Sequence, residues 1–331
     1  MASIAIKGIS QGNRSEAAAV TEAEVDQEVV VSFGIDSNFV PHLAAVIASI
    51  TAHAPGARFR FLILYSDIGA SRRAALEAVA PSARFDWIEI SNFDIPEYRT
   101  RGHFTRAILF RLGLEKLAPR DCRRIIYLDA DVIVLRDLRE LWSTDLGGNP
   151  IGGVPDTFAY SNYLSDFTKQ WGLDPGRGEY MNSGVLLIDL DAVRREQSFS
   201  KVIDFVAEHG NSLLFPDQDA INYVYWGRCR VLDNEWNTLR DRAIANVAAS
   251  LPLSKQLNGR PPAIVHFSHK FKPWLKQGYS DAGYHPWSWL YWRYLARTPF
   301  MREVIETNGI SRLNRARAWL RWLKRRPSAL Q

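Results

Sequence analysis

The chain has 331 residues, 47% apolar and 23% charged, enough to bury a sizeable core in one large domain or two modest ones. Its two cysteines, Cys122 and Cys229, point to neither a disulfide framework nor a zinc site, and no run spans a membrane or forms a secretory h-region, so a cytoplasmic protein is expected. The net charge of +5 is unevenly placed: residues 311–331 hold seven Lys or Arg and no acid, leaving 34 basic against 36 acidic residues elsewhere.

Residues 1–28 are small, polar and without sustained periodicity, which predicts a disordered leader. Glu28–Gly34 (EVVVSFG) reads as the first strand. It runs into Gly34, Ile35, Asp36, Ser37 and Asn38, and Pro41 then opens a helix with Leu43, Val46, Ile47 and Ile50 on one face. Strand, small-residue turn and helix make a nucleotide-site candidate at a strand's carboxyl end, although on spacing alone Asp36 and Asn38 read as helix caps. Arg58–Tyr65 and Arg84–Ile90 read as strands, with a helix over Ser71–Val79 between them. The resulting βαβαβ opening is a Rossmann-like, doubly wound half, and its lack of G-x-G-x-x-G argues against a dinucleotide cofactor. His103–Leu117 follows with helical spacing and carries Arg106 and Arg111 among apolar residues.

Arg123–Val134 (RRIIYLDADVIV) reads as a buried parallel strand that meets two carboxylates and resumes as Val132, Ile133 and Val134. An ionised carboxylate in such a setting must neutralise, pair or bind a metal. Residues two apart in an extended chain point to the same side, so Asp129 and Asp131 can face one cation. An Asp-rich turn at a strand end is the plainer alternative.

Leu135–Thr144 is expected to be helical, with Leu138, Leu141 and Trp142 apolar. Thr157–Gly178 is irregular and aromatic, as a lid or substrate wall would be. Tyr180–Asp191 (YMNSGVLLIDLD) places Asn182, Ser183 and Gly184 before a buried strand. In Pro216–Val224 (PDQDAINYV), Asp217 and Gln218 precede a helix, with Asp219 facing elsewhere or capping. His266 closes the apolar run Ala263–Val265, well placed as a metal ligand, with a satisfied core histidine as the alternative. In the tail, Leu313, Ala316, Trp319, Leu320 and Leu323 share one sector of a helical wheel, while Arg315, Arg317, Arg321, Lys324, Arg325 and Arg326 fall mostly outside it. Tryptophans beside a basic face suit an anionic membrane, at about 1 kcal/mol per basic residue near the lipid. A plain solvated helix is the alternative, and no binding fold or groove supports nucleic acid.

Four ordered blocks, YLDADVIVLRDLRELW, YMNSGVLLIDLD, PDQDAINYV and AIVHFSHKFKPW, resemble glycosyltransferase family 8, the retaining family of glycogenin and the bacterial lipopolysaccharide α-galactosyl- and α-glucosyltransferases. The resemblance covers roughly Val29–Trp274. It implies a GT-A fold of class α/β, with a Rossmann-like doubly wound mixed sheet over 29–275 and a small helical, basic and aromatic extension over 276–331. On the donor side it implies Gly34, Asp36 at the uracil edge, Asn38 near the ribose, Arg111 beside the donor sugar, and Asp129 and Ala130. Asn182, Ser183 and Asp217 would hold hexose hydroxyls. Gln218 would face the sugar opposite the leaving group, and Asp156, at the end of Ile151–Asp156, would lie near the acceptor or donor sugar. Asp129, Asp131 and His266 would bind Mn²⁺, with Mg²⁺ as a substitute, and Lys272 would meet the phosphates. His103 and Trp274 fall at acceptor-side positions. The last block departs from the family's H-x-x-G-x-x-K-P-W by carrying His269 at the glycine, where a Cβ changes how the backbone approaches the diphosphate.

The implied reaction moves galactose or glucose from a UDP-sugar to a hydroxyl of a saccharide or glycolipid acceptor, such as a lipopolysaccharide intermediate, at the inner face of the membrane. Two other readings share the D-x-D segment. A haloacid-dehalogenase-like phosphatase would need the motif near the N-terminus, and a UDP-sugar-binding relative without catalysis would fit the change at His269.

Overall fold

The computed structural model describes residues 27–90, 106–156, 162–239, 262–268, 272–279, 285, 287–314, 316, 317 and 320. Chain order begins β1 (Val29–Ile35), α1 (Val40–His53), β2 (Phe59–Tyr65), α2 (Ala70–Glu77) and β3 (Arg84–Glu89). A 3-10 helix (Arg106–Gly113) then runs into a short α3 (Leu114–Leu117), followed by β4 (Arg124–Leu128), β5 (Val132–Val134) and α4 (Leu138–Trp142). β6 (Ile151–Pro155), α5 (Asn162–Trp171), β7 (Met181–Asp189), α6 (Leu190–Glu196), α7 (Ser198–His209) and α8 (Pro216–Val224) make the middle of the chain. The remainder is β8 (Cys229–Val231), a 3-10 turn (Asn234–Asn237), β9 (Thr238–Leu239), β10 (Ile264–His266), α9 (Ser288–Leu295) and α10 (Met301–Asn308).

Among the described residues, seven strands form the main sheet in the order β3-β2-β1-β4-β7-β6-β8. β3, β2, β1 and β4 run parallel, β7 is antiparallel to β4 and to β6, and β8 is parallel to β6. Consecutive strands spread outward from β1 on one side while β4 lies on the other, so the order reverses between β1 and β4. A crevice for a ligand opens at the carboxyl ends of such a pair. The buried faces are apolar runs of Val29, Val31 and Phe33 on β1, Phe61 to Leu64 on β2 and Ile125 to Leu128 on β4, as expected of parallel strands covered on both faces.

The D-x-D segment departs from the expected single strand. β4 stops at Leu128, and β5 belongs to a second sheet of order β5-β10-β9. The chain turns at Asp129–Asp131 between the sheets, because two adjacent charged groups at the end of an apolar run are better served by a turn than by a continued ladder. α1 secures the second sheet: Val134 N donates to Ser49 Oγ at 3.0 Å.

Four other expectations change. The helix expected over 103–117 is a 3-10 helix and one α turn within the described residues, packed closely enough on β1 that a Cβ at Gly34 would meet Phe110 Cβ at 3.0 Å and Ala107 O at 3.2 Å. The helix expected over Leu135–Thr144 is confined to Leu138–Trp142, where Asp137 caps its start through Arg139 N at 2.9 Å. The expected irregular stretch contains α5, whose Tyr163 and Phe167 pack against Tyr180. Asn182, Ser183 and Gly184 lie inside β7 rather than before it. Beyond Trp274, α9 packs on α1 with Tyr291, Trp292 and Leu295 buried. No helix among the described residues is long and apolar enough to cross a membrane.

Candidate active site

Three elements meet at the sheet junction. Asp129 follows β4, with its backbone N–H donated to Gly184 O on β7 at 2.8 Å. Asp131 closes the turn into β5. His266 ends β10, where it pairs with Val132. One ligand atom from each of Asp129, Asp131 and His266 lies within 4.8 Å of the others. His266 Nε2 is 3.1 Å from Asp131 Oδ1 and 3.8 Å from Asp129 Oδ2. Gly184 makes this approach possible: a Cβ there would overlap His266 Cε1 and lie 2.7 Å from Asp129 Oδ2.

Lys272 closes the corner from the other side, with Nζ donated to Asp131 Oδ2 at 2.5 Å and to Phe267 O at 2.7 Å. Burial alone would raise the Asp131 pKa, but Lys272 and then His266 outweigh it and hold the carboxyl well below the usual range. Asp131 Oδ1 is buried and, apart from its approach to His266, accepts no hydrogen bond among the described residues. Two carboxylates, one of them with an under-satisfied buried oxygen, and an imidazole nitrogen form a donor set that fits a divalent cation.

A second corner abuts the first. Gln218 Oε1 accepts from Ser183 N and Asn182 Nδ2, both at 3.0 Å, while its Nε2 donates to Asp156 Oδ2 at 3.0 Å and Tyr180 OH at 3.3 Å. Asn182 Nδ2 also donates to Asp156 Oδ2 at 2.9 Å, and Ser183 Oγ donates to Asp217 Oδ2 at 2.9 Å. Pro216 starts α8 where its missing N–H costs nothing, which presents Asp217 and Gln218 on the helix's first turn. Burial pushes the Asp217 carboxyl up, with Arg111 opposing.

Arg111 joins the corners. It is 2% exposed, donates to Asp129 Oδ1 at 2.8 Å and to Ser183 O, and lies 3.4 Å from Asp217 Oδ2. Its guanidinium stacks over Tyr127 at 4.3 Å, whose hydroxyl also donates to Asp129 Oδ1 at 3.2 Å. A planar, permanently charged fork is suited to hold two carboxylates and a carbonyl at once.

Asp219 points away from this network. Its Oδ2 accepts from Leu214 N and Phe215 N, both at 2.9 Å, and its Oδ1 from Tyr163 OH at 2.6 Å and Tyr180 OH at 2.5 Å. The residue therefore ties the turn before α8 to α5 and to Tyr180 just ahead of β7. Asp219→Ala strands four donors, and a loss of about 3 kcal/mol is expected in chemical denaturation. A loss below about 0.5 kcal/mol would show that these bonds are replaced by water.

Several expected site residues sit elsewhere. Trp274, expected on the acceptor side, is buried. It is 5% exposed and stacks on His42 with ring centroids 3.8 Å apart, and burial pushes that imidazole down to about 3, so it stays a neutral platform held by Tyr291 OH at 2.7 Å. Gly34 acts as the packing glycine under the 3-10 helix rather than as an open contact. Asp36 is half-buried and caps Asn38 N at 2.9 Å, the helix-cap role that spacing suggested, while Asn38 is exposed. Ala130 is buried in the turn between the two aspartates. His103 and His269 lie outside the described residues. The sequence reading missed Asn237, which contacts both Asn182 and His266, and the spatial role of Gly184. The only signal for Asn237 was a polar residue in VLDNEWN ahead of a strand.

A mixed, mostly parallel sheet with its candidate site where strand order reverses is the GT-A architecture of glycosyltransferases, and the fold superposes on galactosyltransferase LgtC, solved with donor and acceptor sugar analogs. That match has a TM-score of 0.66 and 25% identity, covering 87% of this chain and 100% of LgtC. The family model for glycosyl transferase family 8 matches residues 30–278, and the chain belongs to that family. It is similar to general stress protein A of Bacillus subtilis (strain 168), 26% identical over 274 residues that cover 78% of this chain and 92% of the relative. It is also similar to lipopolysaccharide 1,2-glucosyltransferase of Escherichia coli (strain K12), 26% identical over 257 residues covering 74% and 72% of the two chains. Membership removes the phosphatase reading of the D-x-D segment.

Proposed function

We propose that the protein transfers a hexose, galactose or glucose, from a UDP-sugar to a hydroxyl of a saccharide acceptor with retention at the anomeric carbon, using Mn²⁺ or Mg²⁺. The observation that carries this reading is the adjacency of the two corners. The Asp129–Asp131–His266 cluster shares Arg111, Ser183 and Gly184 with a wall of hydroxyl-reading side chains, Asp156, Asn182, Asp217 and Gln218. A wall of buried hydrogen-bonding groups discriminates strongly against ligands that leave it unpaired.

When bound by Asp129, Asp131 and His266, the cation would supply charge neutralisation for a departing diphosphate. Lys272, here paired with Asp131, is the second positive charge for that diphosphate. Asp36 and Asn38 would receive the uracil and ribose. Gln218 is a neutral amide with both ends engaged, which makes it a poor nucleophile and supports a front-face route over a glycosyl-enzyme. In that route the acceptor oxygen bonds to the anomeric carbon as the bond to UDP oxygen breaks, and the hydroxyl proton passes to the leaving phosphate oxygen. Gln218 and Asp217 steady the positive charge that develops on the sugar.

The acceptor class follows from the tail and from a relative. Leu313 is 57% and Leu320 49% exposed on a basic segment, which supports docking on an anionic membrane and hence a glycolipid or lipopolysaccharide intermediate. The name of the E. coli glucosyltransferase agrees with that class. Trp319 and Leu323, on the same predicted face, lie outside the described residues.

A UDP-release assay with UDP-glucose and UDP-galactose tests the reaction. Release of UDP that requires Mn²⁺ and is abolished by EDTA is expected for one of the two, with no sugar adduct on intact-protein mass spectrometry. A covalent sugar on any carboxylate would overturn the front-face route, and no release from either donor would overturn the function.

A further inference from the structure

The hydrogen bonds behind His266 run in one direction, set by a backbone group that can only donate. Gly184 N donates to Asn182 Oδ1 at 3.0 Å, which fixes that carboxamide with its Nδ2 toward Asp156 and Gln218. Asn182 Oδ1 also accepts from Asn237 Nδ2 at 2.8 Å. Asn237 must then turn its Oδ1 to His266 Nδ1, 2.9 Å away. An acceptor at that position holds a proton on Nδ1 and, against the competing acceptor Asp131 Oδ1 3.1 Å from Nε2, favours leaving the lone pair on Nε2, the nitrogen that lies between Asp129 and Asp131.

We propose that Asn237 is a positioning residue that fixes His266 as the Nδ1–H tautomer with Nε2 presented for metal binding, and that Asn182 sets the orientation of Asn237. The inference rests on the reading of Asp129, Asp131 and His266 as a metal site. Asn237 and His266 are both buried, so water does not take over the contact when Asn237 is removed. Asn182 thereby serves both corners: its Nδ2 belongs to the hydroxyl-reading wall and its Oδ1 to the relay that ends on the metal ligand.

The tautomer is read directly by nitrogen-15 NMR of histidine-labelled, metal-free protein across a pH series that carries each ring to its singly protonated form. Wild type is expected to show His266 protonated on Nδ1 alone. Asn237→Leu, similar in size but without polar atoms, is expected to mix the tautomers and to weaken Mn²⁺-dependent UDP binding about 10- to 100-fold by calorimetry. Asn237→Asp keeps an acceptor facing Nδ1 but sets a second oxygen against Asn182 Oδ1, so it is expected to restore the Nδ1–H form while binding UDP more weakly than wild type, a rescue of the tautomer that a merely space-filling role does not produce. A wild-type His266 protonated mainly on Nε2 overturns the proposal, and this reading needs no folded variant. An unchanged tautomer and unchanged UDP affinity in folded Asn237→Leu overturn it as well. Failure of wild type to bind Mn²⁺ with UDP would count against the proposed function and leave the tautomer spectra to decide this inference.

Discussion

Gly184→Ala is expected to lower metal-dependent transfer at least about 100-fold, the scale of loss that follows from displacing a catalytic group by about 1 Å. The added methyl carbon would overlap His266 Cε1 and sit 2.7 Å from Asp129 Oδ2. Neither neighbour can yield freely. His266 is held by Asn237 and by its strand pairing to Val132, and Asp129 is held by Arg111 and Tyr127. The fold itself should survive, since overpacking one methyl costs about 1–3 kcal/mol. The prediction is checked by steady-state UDP release with varied Mn²⁺ beside circular dichroism. A folded Gly184→Ala with wild-type rate and wild-type metal dependence would remove the spatial argument for the corner.

Arg111→Met is expected to cost about 3–5 kcal/mol of folding stability, the range for removing one partner from a buried ionic network. The loss arises because Asp129 and Asp217 remain near one another without their shared cation, and because Ser183 O loses its donor. Arg111→Lys should recover only part of it, because a point-like ammonium cannot reach Asp129, Ser183 O and Ile108 O together as the fork does. The pH dependence has a definite sign. Burial already pushes the Asp217 carboxyl up, with Arg111 opposing, so removing the arginine raises it further. A folded carboxyl raised above its unfolded value is stabilising on the acid side and loses that contribution as pH rises through the folded value. The gap between Arg111→Met and wild type should therefore narrow on acidification from neutral pH. Denaturant midpoints across a pH series measure this, and a gap that widens toward acid would contradict the assigned ion pairs.

The parts of the fold legible in the sequence were those whose signal is periodic and local. The βαβαβ opening is a series of apolar runs and a proline-opened turn, and its elements fall within a residue or two of the expected bounds, whereas β7 and α8 begin earlier than expected and take in Asn182–Gly184 and Asp217–Gln218. The D-x-D segment was legible in chemistry but not in path. A run of Ile, Tyr, Leu, Val, Ile and Val reads as one strand, and only the pairing of Val132–Val134 with β10 shows that it crosses to a second sheet. Thr157–Gly178 read as irregular because its apolar residues are aromatic, while α5 is stabilised by packing on Tyr180 rather than by propensity.

The candidate site divides in the same manner. Asp129, Asp131 and His266 were picked out by residue type and setting, and Asn182, Asp217 and Gln218 by the resemblance to family 8, and the structure brings them together. Trp274, put on the acceptor side by the family resemblance, is buried with its face covered by His42, far away in sequence. The role of Asn237, and the spatial role of Gly184 within its block, are not written in the local pattern. One acts by the direction of a hydrogen bond and the other by the space it leaves, and both are properties of residues distant in the chain.

Calorimetric titration of UDP-glucose and UDP-galactose into the protein, with and without Mn²⁺ and in parallel with Asp131→Asn, tests the central claim most directly. Binding of one of the two that depends on Mn²⁺ in wild type and is lost in folded Asp131→Asn is the expected result. Equal affinity with and without the metal, or equal affinity in wild type and Asp131→Asn, would contradict the assignment of Asp129, Asp131 and His266 as the metal-bearing corner of a donor site.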